Sequence, residues 1–242
     1  MKDILGDCLN FNMVEIIPAI LPQSYRAIEG GLEKVHEFVN TIQIDFVDGY
    51  FAPNKTWWFN GKDLDILERL LNEEQGLPYW ENINYEFDLM INDPLDHIDK
   101  IIGLGPSKVI FHIEGLNIES MINYFEKLPS IINDTVKFGI AIGINTNIEL
   151  LEPLMPYVNT IQCMGIKQVG FQGQPFDDKV FEKIKTIKNL YPNKIISVDG
   201  AVSLDNAKSL VNAGVNSLVI GSAIFGNQSQ AGIIEEFKHI CR

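Results

Sequence analysis

Ile42-Gln43-Ile44-Asp45-Phe46-Val47-Asp48-Gly49 reads as a buried strand that ends in chemistry. Its apolar residues are nearly continuous, which suits a strand covered on both faces, and alternation puts Gln43 and Asp45 on one side of it. Asp48-Gly49 then begins a turn. An acid directly after apolar strand residues is costly to bury unless it is paired, hydrogen-bonded or metal-bound. The same punctuation recurs in Glu86-Phe87-Asp88-Leu89-Met90, in Phe111-His112-Ile113-Glu114 and in Ile196-Ser197-Val198-Asp199-Gly200.

Outward from this stretch, short β-branched-rich runs are spread along the whole chain, at 14–20, 41–46, 84–90, 108–113, 136–142, 158–164, 194–198 and 217–220. Helical periodicity separates them, as in Ile28-Leu32-Val35-Phe38-Val39 and Phe181-Ile184-Ile187-Leu190. Ser203 offers an N-cap before the helix over 207–213, and Gly214 a C-terminal stop. Strict alternation of strand and helix over 242 residues leaves no room for a second domain. It predicts an α/β chain folded as one (β/α)8 TIM barrel, the barrel proper spanning about 14–240, with a doubly wound open sheet as the alternative.

Nineteen Lys+Arg against 32 Asp+Glu give a net charge of −13 and a pI near 4.7. Such a chain offers no basic surface to a nucleic acid or an anionic membrane, so neither is expected as a partner. An anionic small molecule must instead be held by a local nest of backbone N–H groups. Cys8, Cys163 and Cys241 form no CxxC pair, which argues against a disulfide framework and fits a reducing compartment. The acidic start Met1-Lys2-Asp3-Ile4-Leu5-Gly6-Asp7 is unlike a signal peptide, and the expected location is the cytoplasm.

In a barrel, reacting groups project from the C-terminal ends of the strands and the last two loops hold phosphate. Asp45, Asp88 and Asp199 then converge on one rim, unless each merely caps its own turn. Gly200-Ala201 and Gly221-Ser222 supply small residues with free N–H groups, the pair of corners a phosphate needs. Gly170-Phe171-Gln172-Gly173-Gln174 is a glycine-hinged loop suited to closing over a substrate, or a plain long loop. Trp57-Trp58-Phe59 is placed to wall the pocket or to bury against a second subunit. His36, His97 and His239 fall in expected helices and are read as surface or packing residues.

At these residues the sequence resembles the ribulose-phosphate 3-epimerase family. The likeness runs from about Ile16 to Gly226, through Asp45-Phe46-Val47-Asp48-Gly49-Tyr50-Phe51-Ala52-Pro53-Asn54, Asp88-Leu89-Met90-Ile91, Gly170-Phe171-Gln172-Gly173-Gln174-Pro175-Phe176, Val198-Asp199-Gly200-Ala201-Val202 and Gly221-Ser222-Ala223-Ile224-Phe225-Gly226. It implies a ribulose-phosphate-binding barrel that interconverts D-ribulose 5-phosphate and D-xylulose 5-phosphate by proton transfer at C3, with Asp45 and Asp199 as the catalytic pair. Met90 and Met164 match methionines that line the family's site, and His112 is placed to touch substrate or to stand hydrogen-bonded on the rim. A homo-oligomer and a small-molecule sugar phosphate are the implied partners.

The departures from the family pattern concern the metal. Two histidines and two aspartates usually hold a divalent ion; here Gln43 and Asp88 stand at the histidine positions, while Ala19 and Pro22 replace two serines. The remaining set, Gln43, Asp45, Asp88 and Asp199, is all oxygen and favours Mg2+ or Mn2+ over Zn2+, or else holds no metal and only hydrogen-bonds. Without a cation, carboxylates 4 Å apart repel by about 4 kcal/mol per pair at an effective dielectric near 20. A bound ion or a raised aspartate pKa is therefore required if the three converge. No organic cofactor is indicated. Phe46 and Val47 after Asp45 break the Asp-x-Lys-x-x-Asp pattern of related decarboxylases and synthases, which disfavours decarboxylation. Two alternatives stand beside the epimerase: a sugar-phosphate-binding protein that has lost turnover, and an epimerase for another ketose phosphate.

Overall fold

Parallel pairing closes the strands into a ring in sequence order, from β1 (Glu15–Ile20), β2 (Thr41–Val47), β3 (Asn84–Met90) and β4 (Lys108–His112) to β5 (Lys137–Ile142), β6 (Thr160–Met164), β7 (Ile195–Asp199) and β8 (Ser217–Ile220). The last strand returns to the first, with Ile17 opposite Val219. This computed structural model describes residues 14–170 and 173–242. The fold is the (β/α)8 TIM barrel, and the open-sheet alternative is excluded by closure.

Alternation along each strand sorts the side chains into two environments. Ile42, Ile44 and Phe46 of β2, Phe87 and Leu89 of β3, and Ile196 and Val198 of β7 face outward into the main apolar core beneath the helices. That core is closed by α1 (Tyr25–Val35), α2 (Leu64–Leu71), α3 (Ile98–Gly103), α4 (Ile118–Lys127), α5 (Ser130–Thr135), α6 (Lys179–Leu190), α7 (Leu204–Ala213), α8 (Ser222–Phe225) and α9 (Gln230–Ile240). The other set points into the barrel and is largely polar: Gln43, Asp45, Glu86, Asp88, His112, Gln162, Ser197 and Ser217 are all buried. Glu86 and Lys108, opposite each other on β3 and β4, form an ion pair inside.

Three local expectations change. After β5 the chain forms a 3-10 helix, Ile148–Leu154, where strict alternation calls for an α-helix, and Pro153 sits within it. Proline lacks the N–H that a continuing α-helix would need there. The first helix ends at Val35, with His36 as its cap, so Phe38 and Val39 lie in the approach to β2. Trp57 and Trp58 neither wall the cavity nor await a partner: they are buried in the protein's own core, where Trp57 packs 5.2 Å from Tyr25 and Trp58 stacks 4.7 Å from Phe46. Gly214 does end α7, in the left-handed conformation at φ 90°. Cys163 and Cys241 are free and buried; Cys8 lies outside the described residues.

Candidate active site

Strand register sets the site. Asp45 on β2 is the direct neighbour of Asp88 on β3, and Asp199 on β7 is the neighbour of Met164 on β6. One oxygen from each of Asp45, Asp88 and Asp199 lies within 4.8 Å of the others, so the three converge rather than cap separate turns. The Gln43 amide nitrogen joins two of them, donating to Asp45 Oδ1 at 2.9 Å and to Asp199 Oδ2 at 3.0 Å.

Above this floor opens a cavity of about 590 Å3, mouth included. Asp45 and Asp199 reach it from below, Met90 and Met164 form walls, and Gly170, Gly173, Gly200, Ala201, Gly221 and Ser222 line its rim. Ala19 and Leu21 complete the β1 side. Phe171 and Gln172 lie outside the described residues. Gln43, Asp88 and His112 sit beneath the cavity and do not line it; all are 1% exposed or less. His112 contacts Asp88 Oδ1 at 3.0 Å through Nε2, and Phe51 packs 5.1 Å from its ring.

The corners of the last loops are built for close approach of backbone. Gly200 and Ala201 both have positive φ, 101° and 54°, and the Asn206 side chain holds the turn by donating to the Ala201 carbonyl at 3.0 Å. Gly165 donates its N–H to the Asp199 carbonyl at 2.6 Å, and a Cβ there would strike the Gly200 carbonyl oxygen. The end of β7, with Asp199 on it, is thereby fixed against the end of β6. Gly221 leads into the short helix α8, the usual barrel arrangement for holding a phosphate.

Burial dominates the electrostatics. It pushes the Asp45 carboxyl well above the ordinary value near 3.8, reinforced by the charges of Asp199 and Asp88 and opposed by the Gln43 hydrogen bond. Asp199 rises to about 7, again through burial and then Asp88, against Gln43, His112 and the Gly200 amide. Burial alone would lower His112, but the Asp88 charge and hydrogen bond, with Glu114 and Asp199, carry it above its ordinary value. Among the described residues no Lys or Arg lines the cavity.

The three carboxylates can hold a metal ion. Their oxygens span about twice a metal–oxygen bond of about 2.0–2.6 Å. The Gln43 side-chain oxygen is buried without a hydrogen-bond partner among the described residues, so an oxygen acceptor remains to be satisfied on the amide that joins Asp45 and Asp199.

The family model described as the ribulose-phosphate 3 epimerase family matches residues 15–225. The chain belongs to this family. Among its relatives, "Ribulose-phosphate 3-epimerase, cytoplasmic isoform" from Oryza sativa subsp. japonica is 25% identical, over 93% of this chain and 92% of the relative. "Ribulose-phosphate 3-epimerase" from Bacillus subtilis (strain 168) is 26% identical, over 93% of this chain and 99% of the relative. Membership makes the protein a sugar-phosphate epimerase, an enzyme of the isomerase class. The solved structure of 3-keto-L-gulonate-6-phosphate decarboxylase from Vibrio cholerae shares the fold, with a TM-score of 0.68 at 11% identity over 95% of this chain and 97% of that one.

Gln162 is the site residue that sequence reasoning missed. It is completely buried on β6, with Nε2 3.3 Å from Asp88 Oδ2 and 3.4 Å from Asp199 Oδ2. The available signal was a lone amide between Ile161 and Cys163 in an apolar strand, the same signature that marks Gln43 on β2.

The raised carboxyls predict how stability depends on pH. A carboxyl whose pKa is higher in the folded state binds its proton more tightly there, so its contribution is complete below about 3.8 and is lost as pH rises through about 7. Chelator-treated protein is expected to melt at lower temperature at pH 8 than at pH 5. The slope approaches about 1.4 kcal/mol per pH unit for each titrating carboxyl. Calorimetry showing a melting temperature that rises across the same window would contradict this electrostatic account.

Proposed function

We propose that the protein interconverts D-ribulose 5-phosphate and D-xylulose 5-phosphate, with Asp45 and Asp199 exchanging protons with C3 from its two faces. The observation that carries the reading is the placement of two carboxyls, one from β2 and one from β7, on a shared Gln43 amide beneath the cavity that Gly200 and Gly221 border. A single base would return the proton to the side it left; inversion at carbon needs a second group opposite the first.

In this reading the phosphate lies against the corners at Gly200, Ala201, Gly221 and Ser222, since among the described residues no Lys or Arg lines the cavity. Gly170, Gly173 and Gln174 line the cavity beside the sugar, and Met90 and Met164 exclude water from the reacting face. One aspartate oxygen accepts the C3 proton, leaving a planar enediolate. The other aspartate, protonated at the start, gives its proton to the opposite face of C3, and the two exchange protonation states. The elevated pKa values support this division of labour, because at neutral pH one carboxyl of the set can keep its proton while another is ionised. The oxygen donors Gln43, Asp45, Asp88 and Asp199 suit Mg2+ or Mn2+, which when bound supplies positive charge to the enediolate oxygens. We place the enzyme in the cytoplasm, as the rice relative's name says of that protein; among the described helices none is long and apolar enough to cross a membrane.

Incubation with D-ribulose 5-phosphate in D2O, with added Mg2+ or Mn2+, is expected to place deuterium at C3 and to yield xylulose 5-phosphate, both read by NMR. Absence of exchange and of product under every metal condition overturns the assignment. In that event, saturable binding of the sugar phosphate would identify a binding protein, and exchange with a different ketose phosphate an epimerase of other specificity.

A further inference from the structure

The polar floor holds amide oxygens that none of its described groups satisfies. Gln162 has no solvent exposure, and its amide oxygen makes no hydrogen bond among the described residues. The Gln43 oxygen, also fully buried, is in the same position. A buried amide oxygen left without a partner forfeits the hydrogen bonds it makes in water, so each of the two calls for an explanation. The Gln162 nitrogen does not make good bonds either: its 3.3 and 3.4 Å distances to Asp88 and Asp199 exceed the usual range for N–H···O, which ends near about 3.2 Å.

The two ends of a glutamine amide have nearly the same shape and opposite polarity. Turned over, Gln162 places its oxygen where the nitrogen now stands, between the carboxylates of Asp88 and Asp199. That orientation is repulsive toward bare carboxylates and attractive toward a cation among them. Resting on the metal reading given under Proposed function, we propose that Gln162 is a ligand of the divalent ion held by Asp45, Asp88 and Asp199. Its amide nitrogen faces the carboxylates at long range when the ion is absent, and its oxygen turns inward when the ion is present. The ion then draws protein oxygens from β2, β3, β6 and β7, and the unsatisfied Gln162 oxygen acquires a partner. No covalent bond changes; the amide rotates about its terminal torsion.

The test uses the full chain and Mn2+ alone, with free ion followed by electron paramagnetic resonance and water relaxation measured at saturation. Gln162→Leu is expected to weaken Mn2+ binding by about tenfold or more, and its bound ion to carry one additional inner-sphere water in the vacated position. Gln162→Glu keeps an oxygen there and is expected to bind Mn2+ at least as tightly as the parent. Mn2+ affinity within twofold of the parent in Gln162→Leu overturns the proposal, as does weaker binding by Gln162→Glu. So does a weakened Gln162→Leu whose water count is unchanged, which would make Gln162 a positioning residue for Asp88 and Asp199 only. A parent protein that binds no Mn2+ overturns the metal reading itself and this inference with it, whereas a parent that binds while the Leu variant matches it overturns this inference alone.

Discussion

Asp45→Asn and Asp199→Asn are each expected to lower kcat by about 10^2–10^4-fold, the usual weight of a positioned acid or base. KM should change less for Asp45→Asn than for Asp199→Asn, because in the proposed reading the phosphate rests on the corners at Gly200 and Gly221, and of the two carboxyls Asp199 is the one that hydrogen-bonds the Gly200 amide. The two variants are also expected to differ from each other in a way that a general loss of structure would not produce. Each retains a proton acceptor on one side of C3 only. In D2O, one variant should therefore exchange the C3 hydrogen of ribulose 5-phosphate without inversion, and the other that of xylulose 5-phosphate. Loss of exchange from both substrates in both variants, or full activity in either, would break the two-sided assignment. The asparagine variants should also melt at higher temperature than the parent in chelator at pH 8, since each removes a buried negative charge that Asp88 and its partner oppose.

The second large effect is on stability and lies away from the cavity. Trp57 is the largest of the fully buried side chains, surrounded by Tyr25, Phe46 and Trp58, with ring centroids 5.2, 6.3 and 5.6 Å away. Trp57→Ala is expected to cost about 3–5 kcal/mol through lost burial and the space left behind. At roughly 2–4 °C per kcal/mol for a chain of this size, the melting temperature should drop by about 6–20 °C. Trp57→Phe should cost much less, because the indole nitrogen is buried with no hydrogen-bond partner among the described residues and its loss leaves nothing unpaired. Urea unfolding that finds the alanine variant as stable as the parent would refute this account of the core.

The strands were legible because most are apolar on the side that faces the helices and short enough to stop at a polar signal. Predicted 84–90 and 217–220 coincide with β3 and β8, and the others differ by one or two residues at one end, or by one at each end for β7. The convergence of Asp45, Asp88 and Asp199 was legible for a related reason: each follows apolar strand residues at the end where a barrel gathers its loops. Gln162 was not legible, because its partners lie 74 and 37 positions away in the chain and an isolated amide carries no spacing to read. The tryptophans misled for the opposite reason. A Trp-Trp-Phe run after a strand end looks like a rim feature, whereas the segment turns back so that Trp57 donates its backbone N–H to the Pro22 carbonyl at 2.8 Å and both indoles enter the core.

The division between an oily outer sleeve and a hydrophilic central column has an evolutionary consequence. The column contributes little of the apolar burial that holds the fold, so a lineage can exchange its members one at a time without loosening the walls. Substitution at 43, 88 or 162 therefore alters the chemistry of the column while the outward-facing Ile, Phe and Val continue to do the fastening.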